Sequence, residues 1–220
     1  MKKSIIITAG GIGKRMESEI PKQFLLLGSK PVLIHTLERF FQFDPDAQLI
    51  ITLPKDWINY WKDLLTKYDN KIPHELVDGG NERFHSIQNA LAICTGDQIA
   101  IHDGVRPLVS IDTIERCFAG LQNSSAVVPV LNLKDSLRMG TPEKSESVDR
   151  SMFYLVHTPQ CFESNILRKA YLQRYQAHFT DDASVVASIG ICPLLVLSNE
   201  ENIKITSPTD LKILNALLHP

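Results

Sequence analysis

The chain has 220 residues, 44% of them hydrophobic and 22% charged, enough for an ordinary core and surface and unlike a disordered or collagen-like composition. Lys plus Arg total 23 against 25 Asp plus Glu, a formal charge of -2, so no global field draws the chain to nucleic acid or to an anionic membrane. An anionic ligand must therefore be held by a local cluster of cations.

Ser4 to Thr8 is a β-branched run ending in glycines, which predicts a buried strand feeding a loop. Pro31 opens a helical period with Leu33, Leu37, Phe40 and Phe41 on one face. Gln48 to Leu53 predicts the next strand, and Pro54 opens a second helical face of Trp57, Tyr60, Trp61, Leu64, Leu65 and Tyr68. Further strands are expected at Glu75 to Val77, Gln98 to Ile101, Ala126 to Val130 and Leu194 to Leu197. Between them lie the apolar stripes Ile87, Ala90, Leu91, Cys94 and Ile114, Cys117, Phe118, Leu121. Ser207-Pro208-Thr209-Asp210 has the capping serine, first-turn proline and early acid of a helix start.

This alternation predicts an α/β fold, a Rossmann-like, mostly parallel sheet with helices on both faces and its ligand site at the carboxyl ends of the strands. Residues 1–220 are expected to form one domain. Asn132 to Asp149 breaks the rhythm, and reads either as a hairpin arm leaving the sheet or as a floppy insertion. Cys94, Cys117, Cys161 and Cys192 lie far apart without zinc-ligand spacing, as structural thiols of a reducing cytoplasm would. The amino-terminal apolar run is too short for a signal peptide, and no run approaches the length of a membrane span.

Candidate chemistry gathers where strands end. Ala9-Gly10-Gly11-Ile12-Gly13-Lys14-Arg15 and the nearby Lys22 combine close backbone approach with positive charge, as a polyphosphate requires. The loop fits neither common phosphate fingerprint: Met16 stands where the dinucleotide motif wants glycine, and Arg15 where the Walker motif wants Ser or Thr. Asp78-Gly79-Gly80-Asn81-Glu82-Arg83, taken alone, is a turn with a helix cap. His102-Asp103-Gly104-Val105-Arg106 puts an acid and a base at one strand end, with His102 read as structural rather than as a catalytic base. Taken singly, the later sets are an exposed charge pair at Asp149-Arg150, a turn at Thr158-Pro159-Gln160, a helix cap at Thr180 to Ser184, and an edge strand from Asn202 to Thr206.

In order, AGGIGKRM, PKQF, DGGNER, HDGVRP, VDR, TPQ, TDDAS and NIKIT resemble the 2-C-methyl-D-erythritol 4-phosphate cytidylyltransferases of the non-mevalonate isoprenoid pathway. The resemblance runs from Ile5 to about Leu211. Ribitol 5-phosphate cytidylyltransferases share several of these motifs and remain an alternative, as does a non-catalytic nucleotide-binding module on the same scaffold. Asp149-Arg150 and Lys134 to Leu137 favour the erythritol enzyme.

The resemblance implies transfer of CMP from CTP to the sugar-alcohol phosphate, with pyrophosphate released, in a cytoplasmic homodimer that uses Mg²⁺ or another divalent cation and binds neither nucleic acid nor membrane. It implies that Ala9, Gly10 and Gly11 line the cytidine and triphosphate cradle. Asp78, Gly79 and Ser86 would lie around the base and ribose, and Asp103 and Gly104 on the nucleotide side, Asp103 also touching the metal directly or indirectly. Arg15 and Lys22, supported by Lys14 and Lys204, would be the catalytic cations. Arg106, Ser136, Thr180 and Lys204 would meet the sugar phosphate, joined by Arg150 from the neighbouring subunit, with 132–155 as the dimerisation arm. Ser136, Gly104, Lys14 and Ile12 depart from the residues common in the family, Thr, Ala, Arg and an aromatic.

Overall fold

From the amino terminus the chain forms β1 (Lys3–Thr8), a small hairpin of β2 (Leu26–Leu27) and β3 (Lys30–Pro31), α1 (Val32–Phe43), β4 (Gln48–Leu53), α2 (Ile58–Lys67), β5 (Glu75–Asp78), α3 (Arg83–Leu91) and β6 (Gln98–Asp103). Then come α4 (Ile111–Gly120), β7 (Ala126–Asn132), a hairpin of β8 (Leu137–Gly140) and β9 (Ser145–Val148), β10 (Tyr154–Val156) and β11 (Gln160–Glu163). The chain closes with α5 (Ser164–Ala170), α6 (Asp182–Ala187), β12 (Leu194–Leu197) and α7 (Pro208–Leu218). The structure is a computed structural model and describes residues 1–11 and 20–218.

Eight strands make one sheet in the order β5-β4-β1-β6-β11-β7, with β10 and β12 both paired to β7. Strands β1, β4, β5 and β6 are parallel, and Thr8 lies opposite Thr52 on one side and Asp103 on the other. The chain builds outward from β1 through β4 to β5, then returns to lay β6 on the opposite side of β1. That reversal of strand order opens a crevice at the carboxyl ends, where ligands of such sheets bind.

Ile5, Ile6 and Ile7 are fully buried because the sheet is covered on both faces, which is why β1 reads as a continuous apolar run. Ile5 and Ile7 pack with Leu33, Leu37 and Phe40 of α1, Trp61 of α2 and Ile114 of α4; Ile6 packs on the opposite face with Ile87 of α3, Leu167 of α5 and Val186 of α6. Each such side chain contributes about 1.5–3 kcal/mol by leaving water.

The strands and helices read from the sequence are present except at Asn202 to Thr206, and the sheet is more mixed than expected. β11 runs antiparallel between β6 and β7, with Gln160 opposite Ile101 and Cys161 opposite Val127, and β10 runs antiparallel on β7. Asn202 to Thr206, expected as an edge strand, is irregular. Its groups serve other partners: Lys22 takes the Ile205 carbonyl at 2.7 Å and Arg106 takes the Asn202 carbonyl at 2.7 Å, so no ladder forms.

The segment after β7 does leave the sheet: β8 and β9 pair only with each other. Met139 on this hairpin and Met152 to Val156 after it are exposed. Among the described residues no helix is long and apolar enough to cross a membrane.

Candidate functional site

A cavity of about 340 Å³ opens at the strand-order reversal. The turn after β1 supplies Ala9, Gly10 and Gly11 to its wall, and the turn after β5 supplies Gly80 and Asn81, followed by Ser86 on α3. Lys22, Arg83, Asp103 and Lys204 bring charge to the same wall. A second cavity of about 290 Å³ shares Arg83, Asp103 and Lys204 with the first and adds Arg106, Thr158, Gln160 and Thr180. The three shared residues form a seam between the two spaces.

Local bonding shapes the first cavity. The Ala9 N–H donates to the Thr52 carbonyl at 3.0 Å while the buried Gln23 amide donates to the Ala9 carbonyl at 2.7 Å, so the glycine turn is pinned from both sides. Gly80 N–H donates to Ser86 Oγ at 3.0 Å, and Ser86 donates to the Glu82 carbonyl at 3.2 Å. A side chain on Gly80 would stand 2.3 Å from His85 Cβ, so only glycine lets this turn close.

Asp103 is the electrostatic centre. Its Oδ2 accepts from Arg106 Nε at 3.1 Å and faces Lys204 Nζ at 3.1 Å, while Oδ1 lies 3.7 Å from Arg83 Nε. Burial alone would raise its carboxyl pKa, but Arg83, Lys204 and Arg106 together hold it well below the usual carboxylate range. Arg83 in turn grips Asp182 through two parallel bonds, Nη1 to Oδ1 at 2.8 Å and Nη2 to Oδ2 at 2.6 Å, and the Tyr171 hydroxyl donates to Asp182 Oδ1 at 2.6 Å.

His102 lies beneath this centre, fully buried. Its Nε2 is 3.0 Å from the Arg106 carbonyl, which can only accept, so that nitrogen carries the proton. Nδ1 then accepts from Thr158 Oγ1 at 3.0 Å, and Thr158 Oγ1 accepts from the Asp103 N–H at 3.1 Å. Every member of this chain is satisfied with a neutral imidazole, and burial lowers the His102 pKa to about 3. The reading of His102 as a structural residue agrees with this geometry.

Of the expected residues, Ala9, Gly10, Gly11, Lys22, Ser86, Asp103, Arg106, Thr180 and Lys204 line the two cavities. Asp78 and Gly79 are not among the lining residues. The Asp78 carbonyl is bonded to Asn89 Nδ2 at 3.0 Å and the Gly79 N–H to the Leu53 carbonyl at 2.7 Å, and the wall is made by the next two residues, Gly80 and Asn81. Gly104 is buried, its N–H on the Thr8 carbonyl at 2.8 Å, and also stands off the wall. Ser136 is exposed between β7 and β8, and Arg150 is exposed in the turn after β9, donating to the Lys134 carbonyl. Neither is among the residues lining these two cavities. Lys14 and Arg15 lie outside the described residues.

Sequence reasoning did not single out Arg83, Thr158, Gln160 or Asp182 as site residues. The signal was present, since each stands in a quoted motif, but only the fold brings those motifs around one carboxylate.

A glycine turn at the strand-order reversal and a cation-rich seam between two cavities define an α/β nucleotidyltransferase-like protein. The family model described as IspD, 2-C-methyl-D-erythritol 4-phosphate cytidylyltransferase, matches residues 4–220. The chain is similar to the 2-C-methyl-D-erythritol 4-phosphate cytidylyltransferase of Bacteroides thetaiotaomicron, 47% identical over 99% of this chain and 100% of that one. It is 46% identical to the protein of the same name from Porphyromonas gingivalis, over 99% of this chain and 98% of that one. Among solved structures it resembles the enzyme of that name from Thermus thermophilus, with a TM-score of 0.82, 29% identity and 100% of both chains covered. It also resembles the 4-diphosphocytidyl-2C-methyl-D-erythritol synthase of Anaerococcus prevotii, with a TM-score of 0.84, 26% identity, and 100% of this chain and 96% of that one covered. The chain belongs to the 2-C-methyl-D-erythritol 4-phosphate cytidylyltransferase family.

Proposed function

We propose that the two joined cavities divide the substrates of this family's reaction, CTP in the first and 2-C-methyl-D-erythritol 4-phosphate in the second. The enzyme is a nucleotidyltransferase that moves CMP from CTP to the sugar-alcohol phosphate, forming 4-diphosphocytidyl-2-C-methyl-D-erythritol and pyrophosphate. The observation that carries the division is the seam: Arg83, Asp103 and Lys204 border both spaces, so two anionic reactants meet where cations are dense.

The mechanism follows from charge. The attacking oxygen belongs to a phosphate monoester that is already anionic near neutral pH, so no general base is required. The barrier lies in bringing anions together and in stabilising the charge that builds around the α-phosphate. In this reading Ala9 to Gly11 and Gly80 give the nucleotide close backbone contact, and Ser86 faces the base and ribose. Lys22, with Lys14 and Arg15 shortly before it in the sequence, neutralises the triphosphate. Thr180, Lys204 and Arg106 receive the sugar phosphate, and the Arg106 guanidinium also braces Asp103.

A divalent cation fits this donor set. The described residues contain no cluster of three or more His, Cys, Asp or Glu placed to bind a metal, but Mg²⁺ held mainly by substrate phosphates needs only one or two protein carboxylates. Asp103, on the wall common to both cavities, is the carboxylate that would hold it. Such an ion supplies positive charge to the reacting phosphates.

The arm 132–155 is assigned to a second copy of the chain, making a homodimer. Met139 and Met152 to Val156 present an exposed apolar stretch, and Ser136 and Arg150 are not among the described residues that line the two joined cavities. Arg150 and Ser136 then complete the sugar-phosphate cavity of the neighbour. The unpaired thiols Cys94, Cys117, Cys161 and Cys192 support a reducing, cytoplasmic setting.

Pyrophosphate release from CTP with 2-C-methyl-D-erythritol 4-phosphate or ribitol 5-phosphate tests the substrate. The expected result is a higher kcat/KM with the erythritol phosphate, and faster turnover with ribitol 5-phosphate overturns it.

A further inference from the structure

Arg83 breaks a local rule. It is the first residue of α3, where the helix dipole favours an anion, and the first turn of that helix holds no acid and no side-chain cap. Such conflicts between local preference and observed structure collect at functional sites. What holds Arg83 there is Asp182, none of whose surface is exposed, through the two parallel bonds at 2.8 Å and 2.6 Å.

Asp182 is itself fixed from three directions. The Tyr171 hydroxyl donates to it at 2.6 Å. It is the first residue of α6, locked in place by a capping box in which Asp181 accepts from the Ser184 N–H at 2.8 Å and Ser184 Oγ bonds back to Asp181. Gln160 on β11 clamps that same turn, donating to Asp181 Oδ2 at 2.7 Å and accepting from the Ala183 N–H at 2.8 Å. The guanidinium therefore has little freedom, although 31% of its side chain remains exposed to the cavities. Its remaining polar edge, Nε, faces Asp103 Oδ1 at 3.7 Å.

Of the three cations around Asp103, Lys204 is the one able to leave the carboxylate for a phosphate, being 41% exposed at the side chain, whereas Arg106 stays tied to Asp103 and to the Asn202 carbonyl at 2.7 Å even where it lines the cavity. If Lys204 swings to substrate, Asp103 loses one partner and must be held by the others. We propose that Arg83, clamped by Asp182, is a positioning residue for nucleotidyl transfer: it fixes the Asp103 carboxylate at the seam while Lys204 engages substrate. The inference rests on the division of substrates proposed above. Arg83 contributes geometry through Asp103, and a misplacement of about 1 Å at a reacting centre costs roughly 10²-fold in rate.

The test must separate positioning from mere stability, because Arg83→Gln leaves a buried carboxylate unpaired and weakens the fold. Arg83→Gln/Asp182→Asn removes both charges of the pair and relieves that cost. Wild-type, single and double variants are compared by Tm and by steady-state pyrophosphate release with CTP and 2-C-methyl-D-erythritol 4-phosphate. Wild-type turnover tests the substrate reading by itself; the ratio of each variant to wild type tests Arg83. The expected double variant melts closer to wild type than Arg83→Gln does, yet keeps a kcat below about one tenth of wild type, with KM for CTP changed less than about threefold. Recovery of kcat above that tenth together with Tm overturns the proposal, since the pair would then only hold the fold. If the double variant does not fold, Arg83→Lys decides, because lysine keeps the charge but cannot bond Asp182 twice and face Asp103 at once. A fall in its kcat of more than about fivefold supports positioning, and a smaller change overturns it.

Discussion

The Lys22 ammonium donates to the carbonyl of Ile205 at 2.7 Å, tying the residue that follows the glycine loop to the segment that carries Lys204. Two cations from opposite ends of the chain are thereby placed on one cavity wall. In the proposed mechanism Lys22 stabilises the developing transition state, so Lys22→Ala should lower kcat by roughly 10² to 10³, the scale of a lost charge-stabilising donor. Steady-state pyrophosphate release checks it, and wild-type turnover in the variant would remove Lys22 from that role.

Arg150 is not among the residues that line either of the two joined cavities, and its guanidinium donates to the Lys134 carbonyl. If the arm serves a partner, Arg150→Ala raises KM for the sugar phosphate while leaving CTP affinity nearly unchanged. Mixing Arg150→Ala with Lys22→Ala protein should then restore activity, since a mixed dimer has one complete site. Statistical exchange of subunits makes about one quarter of all sites complete. A verified mixed dimer without recovery would place Arg150 outside the shared site.

The parallel half of the sheet was legible because its strands announce themselves: Ile5 to Ile7 and Leu49 to Ile51 are continuous apolar runs of the kind a sheet buried on both faces requires. β10 and β11 were not, because Tyr154–Val156 runs on from the exposed arm and Gln160–Glu163 follows the Thr158-Pro159 turn directly, so each owes its place to the strands it pairs with. The same holds for the site. Lys22, Lys204 and the glycine turn are visible as cations and glycines beside strands. Gly80 and Asn81 differ from Asp78 and Gly79 by two positions in one turn, and only the close approach of Gly80 to His85 tells which part of the turn forms the wall. Arg83 and Asp182 stand 99 residues apart, and nothing in either motif alone signals that they pair.

Gly80 can be tested directly. A methyl group there would stand 2.3 Å from His85 Cβ and 2.9 Å from the His85 backbone carbon, neither of which can turn away as a flexible side chain would. Gly80→Ala must therefore shift the turn and loosen the Gly80 N–H bond to Ser86, with KM for CTP rising by at least about tenfold, equivalent to roughly 1.4 kcal/mol of lost binding. Gly10→Ala meets only Ser86 Oγ, at 3.7 Å, and should fold as the wild type does. Equal CTP affinity in Gly80→Ala and wild type would show that the turn tolerates displacement.

The hydrogen-bonded chain through His102 makes stability depend on pH. Burial lowers the His102 pKa from 6.5 to about 3, and burial followed by the Arg106 charge lowers that of His157 to about 4. Between these values and 6.5 the unfolded chain binds protons that the folded chain does not, so stability is complete above about 6.5 and is lost as pH falls. One such group contributes up to about 1.4 kcal/mol per pH unit within its window. Asp103, whose carboxyl is also depressed, adds the same sign only below the ordinary carboxylate range near 4. Denaturant unfolding at pH 7.5, 6.5, 5.5 and 4.5 should give a plateau and then a progressive fall. His102→Gln cannot take up the proton, so it should be less stable than wild type at pH 7.5 yet lose stability less steeply between 6.5 and 4.5. A variant slope equal to that of the wild type would mean that the acid sensitivity arises elsewhere.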